Sequence, residues 1–263
     1  MFKYTAIPQH RIQEFAVQSK KYCVCVPVIN EGDKIQKQLE RMTAAKISDY
    51  ADIIICDGGS NDGSLDVGFL KANHVSLLLT KQDTGKLSAQ LRMGYYYALT
   101  NRDYAGIVTI DGNNKDSVES IIDIVNRLDD GYDLIQGSRF VPGGQAINTP
   151  LIRHLAVKMI HIPAISFIGG FKYTDTTNGF RGYSRKFLED PRVEPFRDIF
   201  DSYELLAYLS VRAPQLGYKV IETPVIRSYP AQGKIPTKIS FVKGNSKLLR
   251  ILSDLYKHKY DPK

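Results

Sequence analysis

Two short polar segments carry side chains that can bind a nucleotide or a metal ion. The first is residues 57–63, DGGSNDG, in which Asp57 and Asp62 flank glycines and a serine. Carboxylates accept hydrogen bonds from ribose hydroxyls or a base N–H, and a glycine such as Gly59 lets the backbone approach a ligand closely. The same residues also describe a plain turn closed by Asp62 and Gly63, and alone the segment does not separate these interpretations.

The second segment is residues 111–116, DGNNKD. Asp111 and Asn113 stand two residues apart, so a carboxylate and an amide oxygen can face one ion, and hard oxygen ligands suit Mg²⁺ or Mn²⁺. Such an ion would bridge a diphosphate and stabilise its charge as it leaves. The alternative is a strand-to-helix turn in which Asp116 or Ser117 caps the helix.

Both segments directly follow runs that are typical of buried strands. Strands are predicted at 22–28, 52–56, 75–79, 106–110 and 132–136. Helices are predicted between them, at 34–42, 65–72, 85–99 and 118–128. This alternation predicts an α/β, Rossmann-like fold with a mostly parallel central sheet and helices on both faces. Ligands of such sheets lie beyond the carboxyl ends of the strands, where we expect both acidic segments, on adjacent strands.

The second half of the chain follows a different pattern. The predicted elements are a helix at 151–167 interrupted near Pro163, a polar segment at 173–185, a helix at 203–216 with a break near Pro214, a strand at 219–225 and a basic amphipathic helix at 245–259. We expect three parts: an N-terminal arm at 1–20, the α/β domain at 21–230, and a C-terminal basic loop with its amphipathic helix at 231–263.

Composition narrows the class of protein. The 263 residues suffice for one large α/β domain. The net charge of +7 suits nucleotide phosphates, lipid phosphates or an anionic membrane face, although charge alone decides nothing. The three cysteines lie in strand-like runs and are expected to be buried free thiols. With no signal peptide or spanning helix visible, we expect a cytoplasmic protein without a nucleic-acid partner; its last helix suits either ordinary packing or an anionic membrane surface.

Several ordered motifs resemble those of the family-2 glycosyltransferases, which have the GT-A fold. Residues 23–31, CVCVPVINE, resemble the family's opening strand and Pro-x-x-Asn-Glu turn, and residues 54–63 resemble its nucleotide loop. Gly85-Lys86 resembles the next motif, and residues 110–113 occupy the place of its Asp-x-Asp metal motif. The resemblance spans residues 22 to about 240 and implies the following donor-binding residues: Pro27, Asn30, Glu31, Asp57, Gly59, Asp62, Lys86, Asp111, Gly112, Asn113 and Lys238.

The second half is similar to the dolichyl- and polyprenyl-phosphate mannose synthase subgroup. Residues 136–140, QGSRF, and 175–181, DTTNGFR, resemble segments of those enzymes, whose acceptor is a lipid phosphate. This resemblance implies acceptor-binding arginines, which are Arg139, Arg153 and Arg181. For Arg139 and Arg181 an internal salt bridge is the alternative, since a guanidinium pairs as well with a carboxylate as with a phosphate.

Asp111 and Asp175 are the candidate catalytic carboxylates. Transfer to a hydroxyl needs a base, and Asp175 is the candidate. Transfer to a phosphate oxygen does not need one, because that nucleophile is already anionic, and Asp175 would then orient Arg181 or Lys172.

Two residues depart from the family pattern. Asn113 stands where a second Asp is usual, so metal affinity falls unless Asp116 compensates. Ile29 stands where an aromatic residue is common, which leaves base stacking in doubt.

The resemblance implies an inverting, metal-assisted transferase. It would move a sugar from a UDP- or GDP-type donor to a lipid phosphate or a glycan. The alternative is a catalytically degenerate binding or scaffold protein, which Asn113 motivates. A nucleotidyltransferase is set aside because residues 22–31 lack the Gly-rich basic signature, and a processive synthase because the chain has no Trp for a Gln-x-x-Arg-Trp motif.

Overall fold

The computed structural model describes residues 5–149, 155–230 and 241–262, without the side chains of 241–245. Most of its strands form one large sheet. Their bounds are β1 His10–Glu14, β2 Tyr22–Val28, β3 Ala51–Asp57, β4 Val75–Lys81, β5 Gly106–Thr109, β6 Leu134–Ser138, β8 Arg181–Ser184 and β9 Val220–Pro224. Two further strands, β7 Gln145–Ile147 and β10 Ile226–Ser228, pair with each other in parallel.

The eight strands of the large sheet lie in the order β1-β4-β3-β2-β5-β8-β6-β9. The pairs β4-β3, β3-β2, β2-β5 and β6-β9 are parallel. Only β1, at one edge, and β8, between β5 and β6, run antiparallel to their neighbours among the described strands. The predicted mostly parallel α/β sheet is confirmed.

Helices cover the sheet on both faces. Their bounds are α1 Asp33–Ala44, α2 Val67–Ala72, α3 Leu87–Thr100, α4 Ser120–Asp129, α5 Ile162–Gly169, α6 Arg185–Leu188, α7 Glu204–Gln215 and α8 Phe241–Tyr256. Buried side chains of α1 and α4 join one hydrophobic cluster, and those of α3 and α7 join another. Strands β2 and β3 are buried throughout because each lies between the two clusters, which explains their continuous apolar sequence.

Strand β1 lies in the segment predicted as an N-terminal arm. It pairs antiparallel with β4, with Ile12 opposite Leu79. Its residues are mostly exposed, as is common for an edge strand, so the sequence HRIQE shows no buried periodicity. The sheet therefore begins earlier in the chain than the predicted boundary at residue 21.

Strand β8 was also missed, because the sequence indicated only a polar segment at 173–185. This strand lies in the sheet between β5 and β6. A Cβ atom at Gly182 would lie 2.5 Å from a methyl of Ile124, so glycine lets α4 pack directly on this strand. Its glycine and its buried arginine conceal the strand in the sequence.

The helical region after residue 154 is interrupted, as predicted near Pro163. A π-helical turn covers Val157–His161, and α5 follows with Pro163 in its first turn, where a missing N–H is tolerated. Gly170 ends α5 in the left-handed conformation, with φ 73°. In α7, Pro214 lies within the last turn, and the helix ends at Gln215.

The C-terminal helix α8 begins before the predicted residue 245 and ends before residue 259. Leu252 and Leu255 are buried, whereas Leu249 and Tyr256 are exposed. Among the described helices, none has the length and apolar character needed to span a bilayer. The predicted free thiols are confirmed, since Cys23, Cys25 and Cys56 are all buried and unpaired by disulfides.

Candidate functional site

The ends of three parallel strands form the site. The sequence predicted that the segments beginning at Asp57 and Asp111 follow adjacent strands. This prediction is wrong, because β2 lies between β3 and β5 and separates the two segments. The loop after β2 carries Asn30 and Glu31 and lies between them. Three polar loops therefore meet at the carboxyl edge of the sheet, the usual ligand position in this architecture.

The loop after β3 is fastened by its own first carboxylate. Asp57 is almost fully buried, and its Oδ1 accepts hydrogen bonds from the backbone N–H and the hydroxyl of Ser60, at 2.9 and 2.7 Å. Gly59 has φ 97°, a conformation that favours glycine. Asp57 thus fixes the loop, and Gly59 leaves its backbone open to a ligand.

The loops after β2 and β3 are tied to each other. Asn30 donates its backbone N–H to the Ser60 hydroxyl at 3.0 Å, and its side-chain oxygen accepts the N–H of Asn61 at 2.9 Å. Asp62 accepts the N–H of Gly32 at 2.9 Å, and the hydroxyl of Ser64 lowers the pKa of this carboxyl. These bonds make the two loops one unit with Asn30 and Asp62 exposed on it.

A buried amide holds the two strands beneath this unit. Gln90, on α3, donates to the carbonyl oxygens of Val28 and Cys56, at 2.6 and 3.0 Å. A Cβ atom at Gly58 would lie 2.8 Å from the same amide. Sequence reasoning missed Gln90; the one available signal was a polar residue on an otherwise buried helix.

Three other predicted donor residues are placed around this unit. Lys86 is exposed at the start of α3, and its backbone N–H donates to the Asp201 carbonyl at 3.0 Å. Glu31 pairs with Lys34 at 3.2 Å. The carbonyl of Pro27 accepts the N–H of Gly112 at 3.2 Å, which joins the loop after β5 to the strand β2.

Asp111 and Asn113 offer oxygen atoms of the kind that a hard cation binds. The Asp111 side chain is 25% exposed. Asn113 donates to Asp111 Oδ2 at 3.4 Å, while its own Oδ1 is buried and accepts no hydrogen bond within the described residues. A buried amide oxygen without a donor beside a carboxylate fits a divalent cation. No three His, Cys, Asp or Glu side chains converge in residues 5–149, 155–230 and 241–262 to hold one, here or at another position.

Asp116 is not placed as a compensating ligand. It is fully buried and forms a salt bridge with Arg227, on β10, which also contacts Asp111 Oδ2 at 3.1 Å. Burial raises the pKa of Asp116, and Arg227 opposes that rise. The pKa of Arg227 is itself raised: burial lowers it, but Asp116 and Asp111 more than offset that effect. Sequence reasoning missed Arg227, because this residue comes after the predicted strand 219–225 and belongs to no motif.

Arg139 and Asp175 form a buried bidentate pair. Nε of Arg139 lies 2.6 Å from Asp175 Oδ2, and Nη2 lies 2.9 Å from Oδ1. The same Nη2 donates to the Thr177 hydroxyl at 3.0 Å, whereas Nη1 makes no hydrogen bond among the described residues. Asp175 is fully buried, so both of its oxygens serve Arg139 rather than Arg181 or Lys172. This arrangement is the internal salt bridge that the sequence left as the alternative for Arg139.

Glu222, on β9, holds the segment that carries Asp175. Its carboxylate accepts the N–H of Thr174 at 2.9 and 2.8 Å and that of Asp175 at 2.9 Å. Burial raises the pKa of Glu222, and these backbone N–H groups oppose the rise. Glu222 was also missed, although a carboxylate within the apolar strand pattern at 219–225 is a usable signal.

Arg181 is placed as a structural residue. It is buried, and its guanidinium donates to the carbonyls of Asn178, Thr176 and Leu206 and to the hydroxyl of Ser210. With its donors committed to these oxygens, it holds the segment 175–181 against α7 rather than facing a ligand. Two other predicted residues, Arg153 and Lys238, lie outside the described residues.

The segment 175–181 contacts the loop after β5 through Gly179. A Cβ atom at Gly179 would lie 2.9 Å from Asp111 Oδ1, so the segment 175–181 packs directly on the candidate metal carboxylate. Burial lowers the pKa of Arg139, but Asp175 more than offsets this effect and raises it, while the charge of Arg227 opposes the rise. Arg139 and Lys158 both lie over the ring of Phe140, at 5.1 and 4.8 Å from its centroid.

Comparison with known proteins points to one family. Residues 23–191 match the sequence profile of glycosyl transferase family 2. Polyprenol monophosphomannose synthase of Mycolicibacterium smegmatis is 26% identical over 211 residues, which cover 79% of this chain and 77% of that protein. An undecaprenyl-phosphate mannosyltransferase of Micrococcus luteus is 28% identical over 210 residues, 76% of this chain and 80% of the relative.

Solved structures share the fold. Glucosyl-3-phosphoglycerate synthase from Mycobacterium tuberculosis, crystallised with Mn²⁺, UDP and glucosyl-3-phosphoglycerate, superposes with a TM-score of 0.61 at 13% identity, covering 91% of this chain and 79% of that one. Its complex with UDP gives a TM-score of 0.63 at 13% identity, covering 90% and 80%. At this identity the likeness shows the fold alone, and the predicted GT-A fold is confirmed.

Proposed function

Because this chain belongs to glycosyl transferase family 2, we propose that it moves a sugar from a nucleoside diphosphate donor to a polyprenyl phosphate carried in a membrane. The observation that supports this most directly is the shared edge where the loops of Asn30, Asp57 and Asp111 meet, next to the Arg139–Asp175 pair. The named activities of the two bacterial relatives support the acceptor class.

The loops after β2 and β3 are the proposed nucleoside site. Asn30 and Asp62 are exposed on the fastened unit and can accept or donate hydrogen bonds to ribose and base. Asp57 keeps the loop in shape, and Lys86 extends from the start of α3 toward solvent. With Ile29 also exposed here, base selection rests on hydrogen bonds rather than on stacking, so UDP and GDP both remain candidates.

Asp111 and Asn113 are the proposed ligands of Mg²⁺ or Mn²⁺. When bound, the ion supplies positive charge to the leaving diphosphate. The protein's part is to hold the Asp111 carboxylate and the Asn113 amide oxygen so that both can bind the same ion. Gly112 serves this purpose, because a Cβ atom there would lie 2.7 Å from a methyl of Val28 and push the loop away from β2.

Arg139 is the proposed contact for the acceptor phosphate. Asp175 and Thr177 hold its guanidinium, and Nη1 is left for an anion. A phosphate oxygen forms a bond to the anomeric carbon as the bond to the diphosphate oxygen breaks, and the electron pair leaves with the diphosphate. This single displacement inverts the anomeric centre and needs no base, since the phosphate is already anionic. Asp175 then positions Arg139, and a base role is not required.

An apolar helical face is the proposed contact with the membrane. Large apolar side chains protrude from the region 155–169, among them Met159 at 73% and Phe167 at 78% exposure. Lys158 lies among them and over Phe140, next to Arg139. An isoprenoid lying along this face would bring its phosphate to the arginine, which supports association with the membrane surface.

The scaffold alternative also has a specific observation behind it. Arg227 occupies one oxygen of Asp111, and a neutral amide replaces the second carboxylate, so the site favours metal less than the family pattern does. Isothermal titration with UDP and GDP, with and without Mn²⁺, separates the two functions. Nucleotide binding that ignores the metal, without donor hydrolysis or transfer, would favour the scaffold.

Transfer activity tests the proposal directly. We expect a screen of UDP- and GDP-sugars with a polyprenyl phosphate in detergent to give a lipid-linked sugar. Asp57→Asn and Asp111→Asn should each lower kcat/KM by at least about 100-fold, because each removes a charge while preserving shape. Asp103→Asn, at a fully exposed side chain, is the matched control and should match the wild type. Full activity in both site variants, or no product from any donor, would refute the proposal.

A further inference from the structure

A guanidinium contacts the carboxylate that is the proposed metal ligand. Arg227 bridges two carboxylates: its Nη1 donates to Asp116 Oδ2, and its Nη2 lies 3.1 Å from Asp111 Oδ2. Asn113 also donates to this Asp111 oxygen. The same atom is therefore a ligand candidate for a cation and the partner of a cationic side chain.

The backbone fixes Arg227 in this position. Asp116 and Arg227 form an antiparallel bridge, flanked by hydrogen bonds from Ser117 N–H to the Ile226 carbonyl at 2.9 Å and from Ser228 N–H to the Lys115 carbonyl at 2.8 Å. Arg227 and Asp116 are both buried. The guanidinium is consequently a permanent charge of the site. Its Nη1 contacts Asp116, whose side chain is fully buried, whereas its Nη2 contacts Asp111, whose side chain is 25% exposed.

Arg227 weakens the attraction between the charges around Asp111 and a divalent ion. Asp111 and Asp116 contribute two negative charges, Arg227 contributes one positive charge, and Asn113 contributes none, so the cluster holds a net charge of minus one. An ion on Asp111 would face a guanidinium a few ångströms away in a partly buried setting, where repulsion is strong. A nucleoside diphosphate brings negative charge that offsets this repulsion.

We propose that Arg227 competes with the divalent cation for Asp111, so that the metal binds together with the nucleoside diphosphate and not before it. On donor binding, Nη2 leaves Asp111 for a diphosphate oxygen, while Nη1 stays on Asp116. This inference rests on the proposed function for its ligand. Arg227 is thereby a positioning residue that sets the order in which metal and donor bind, and by linkage each ligand strengthens the other.

Mn²⁺ binding, followed through the spectrum of free Mn²⁺ by electron paramagnetic resonance, tests this without any turnover. For the wild type we expect weak binding alone and a Kd about tenfold or more lower in saturating UDP or GDP. In Asp116→Asn/Arg227→Met the buried pair becomes neutral together, and we expect Mn²⁺ to bind about tenfold more tightly without nucleotide. In this variant, UDP or GDP should then lower the Kd for Mn²⁺ by a smaller factor than in the wild type.

Two control variants and one substitute for the double variant make the outcome decisive. Asn113→Asp should tighten Mn²⁺ binding whether or not Arg227 competes, which shows that Asp111 is the binding position. Arg127→Met removes a surface charge on α4 and should change nothing. If the double variant fails to fold by thermal melting, Arg227→Gln keeps an N–H donor for Asp116 and takes its place.

Mn²⁺ affinity that tightens in Asn113→Asp but not in the Arg227 variants would overturn the inference. Strong Mn²⁺ binding by the wild type without nucleotide would overturn it too. If neither UDP nor GDP binds, the proposed function fails, yet the comparison of Mn²⁺ binding without nucleotide still decides whether Arg227 competes for Asp111.

Discussion

The acidic residues of the site differ mainly in what they contact. Asp57 accepts hydrogen bonds from Ser60 of its own loop, Asp62 accepts one from Gly32 of the neighbouring loop, and Asp116 and Asp175 are buried with arginines. Asp111 is shared between the side chains of Arg227 and Asn113 and is still 25% exposed. The chemistry of the site therefore depends on where the Asp111 carboxylate points, and its contacts set that direction.

Gly179 is the residue that most directly limits the position of Asp111. In Gly179→Ala the new Cβ would lie 2.9 Å from Asp111 Oδ1, so the carboxylate must move away. We expect kcat/KM for transfer to fall by about 100-fold, since sub-ångström placement governs such steps. The melting temperature should change little, because a side-chain tip gives way rather than the backbone.

Gly68→Ala is the matched control for this prediction. Gly68 lies on α2, and only an oxygen of Asp66 would approach its Cβ, at 3.1 Å. It should transfer sugar at the wild-type rate. Wild-type kcat/KM in Gly179→Ala would mean that Asp111 has room to move without consequence, and that its observed position is not the productive one.

At this scale the sequence predicts residue types better than partners. The motif spacing placed Asp57, Asp111 and Asn113 at strand ends, because apolar runs and their terminating carboxylates are local features. It left open whether Arg139 meets a phosphate or a carboxylate, and it missed Arg227 and Glu222. Those contacts join residues that are 36, 111 and 116 positions apart for Arg139–Asp175, Arg227–Asp116 and Arg227–Asp111. Such distances carry no periodic signal.

The elements that connect the proposed donor and acceptor residues are short and irregular. Strand β8 follows directly after the segment 175–181, and the π-helical turn Val157–His161 packs on that segment through His161 and Thr176, with Nδ1 and Oγ1 2.8 Å apart. The long parallel strands were predictable because both faces are apolar. A four-residue strand with a glycine and a turn with a shifted hydrogen-bond register were not.

The π-helical turn makes stability depend on pH through His161. Burial lowers the pKa of His161 to about 4, with Arg181 adding to the effect. Below the ordinary pKa of about 6.5 the unfolded chain takes up a proton that the folded chain does not, so stability falls as the pH drops toward 4. Relative to His161→Gln, we expect the wild type to lose about 2 kcal/mol of unfolding free energy between pH 7 and pH 5.

Urea unfolding of both proteins at the two pH values measures this difference. The variant is the necessary reference, because Glu222 and Asp116 have raised pKa values and shift stability in the opposite direction as the pH falls. They do so equally in both proteins. Identical pH dependence of the wild type and His161→Gln would show that His161 is protonated in the folded state as easily as in the unfolded one.

The surface of the whole molecule combines a net positive charge with protruding apolar side chains. The chain carries a net charge of +7, and the most exposed apolar side chains among the described residues include Met159 and Phe167. Helix α5 also packs against α8, which exposes Leu249 and Tyr256. Basic charge together with protruding apolar side chains is the combination that binds an anionic membrane surface. The sequence pointed to the last helix for this role, whereas exposure points first to the region 155–169.

Binding to vesicles tests which surface meets the lipid. Met159→Ser/Phe167→Ser should lower the fraction that sediments with phosphatidylglycerol vesicles by about tenfold or more, since each apolar side chain contributes about 1.5–3 kcal/mol when buried. The variant should also raise KM for a long-chain polyprenyl phosphate while leaving KM for the donor unchanged. Val17→Ser/Tyr50→Ser, another pair of exposed apolar residues, should bind vesicles like the wild type. Equal loss in both pairs would indicate nonspecific adsorption, and no loss in the first pair would exclude the region 155–169 as the membrane contact.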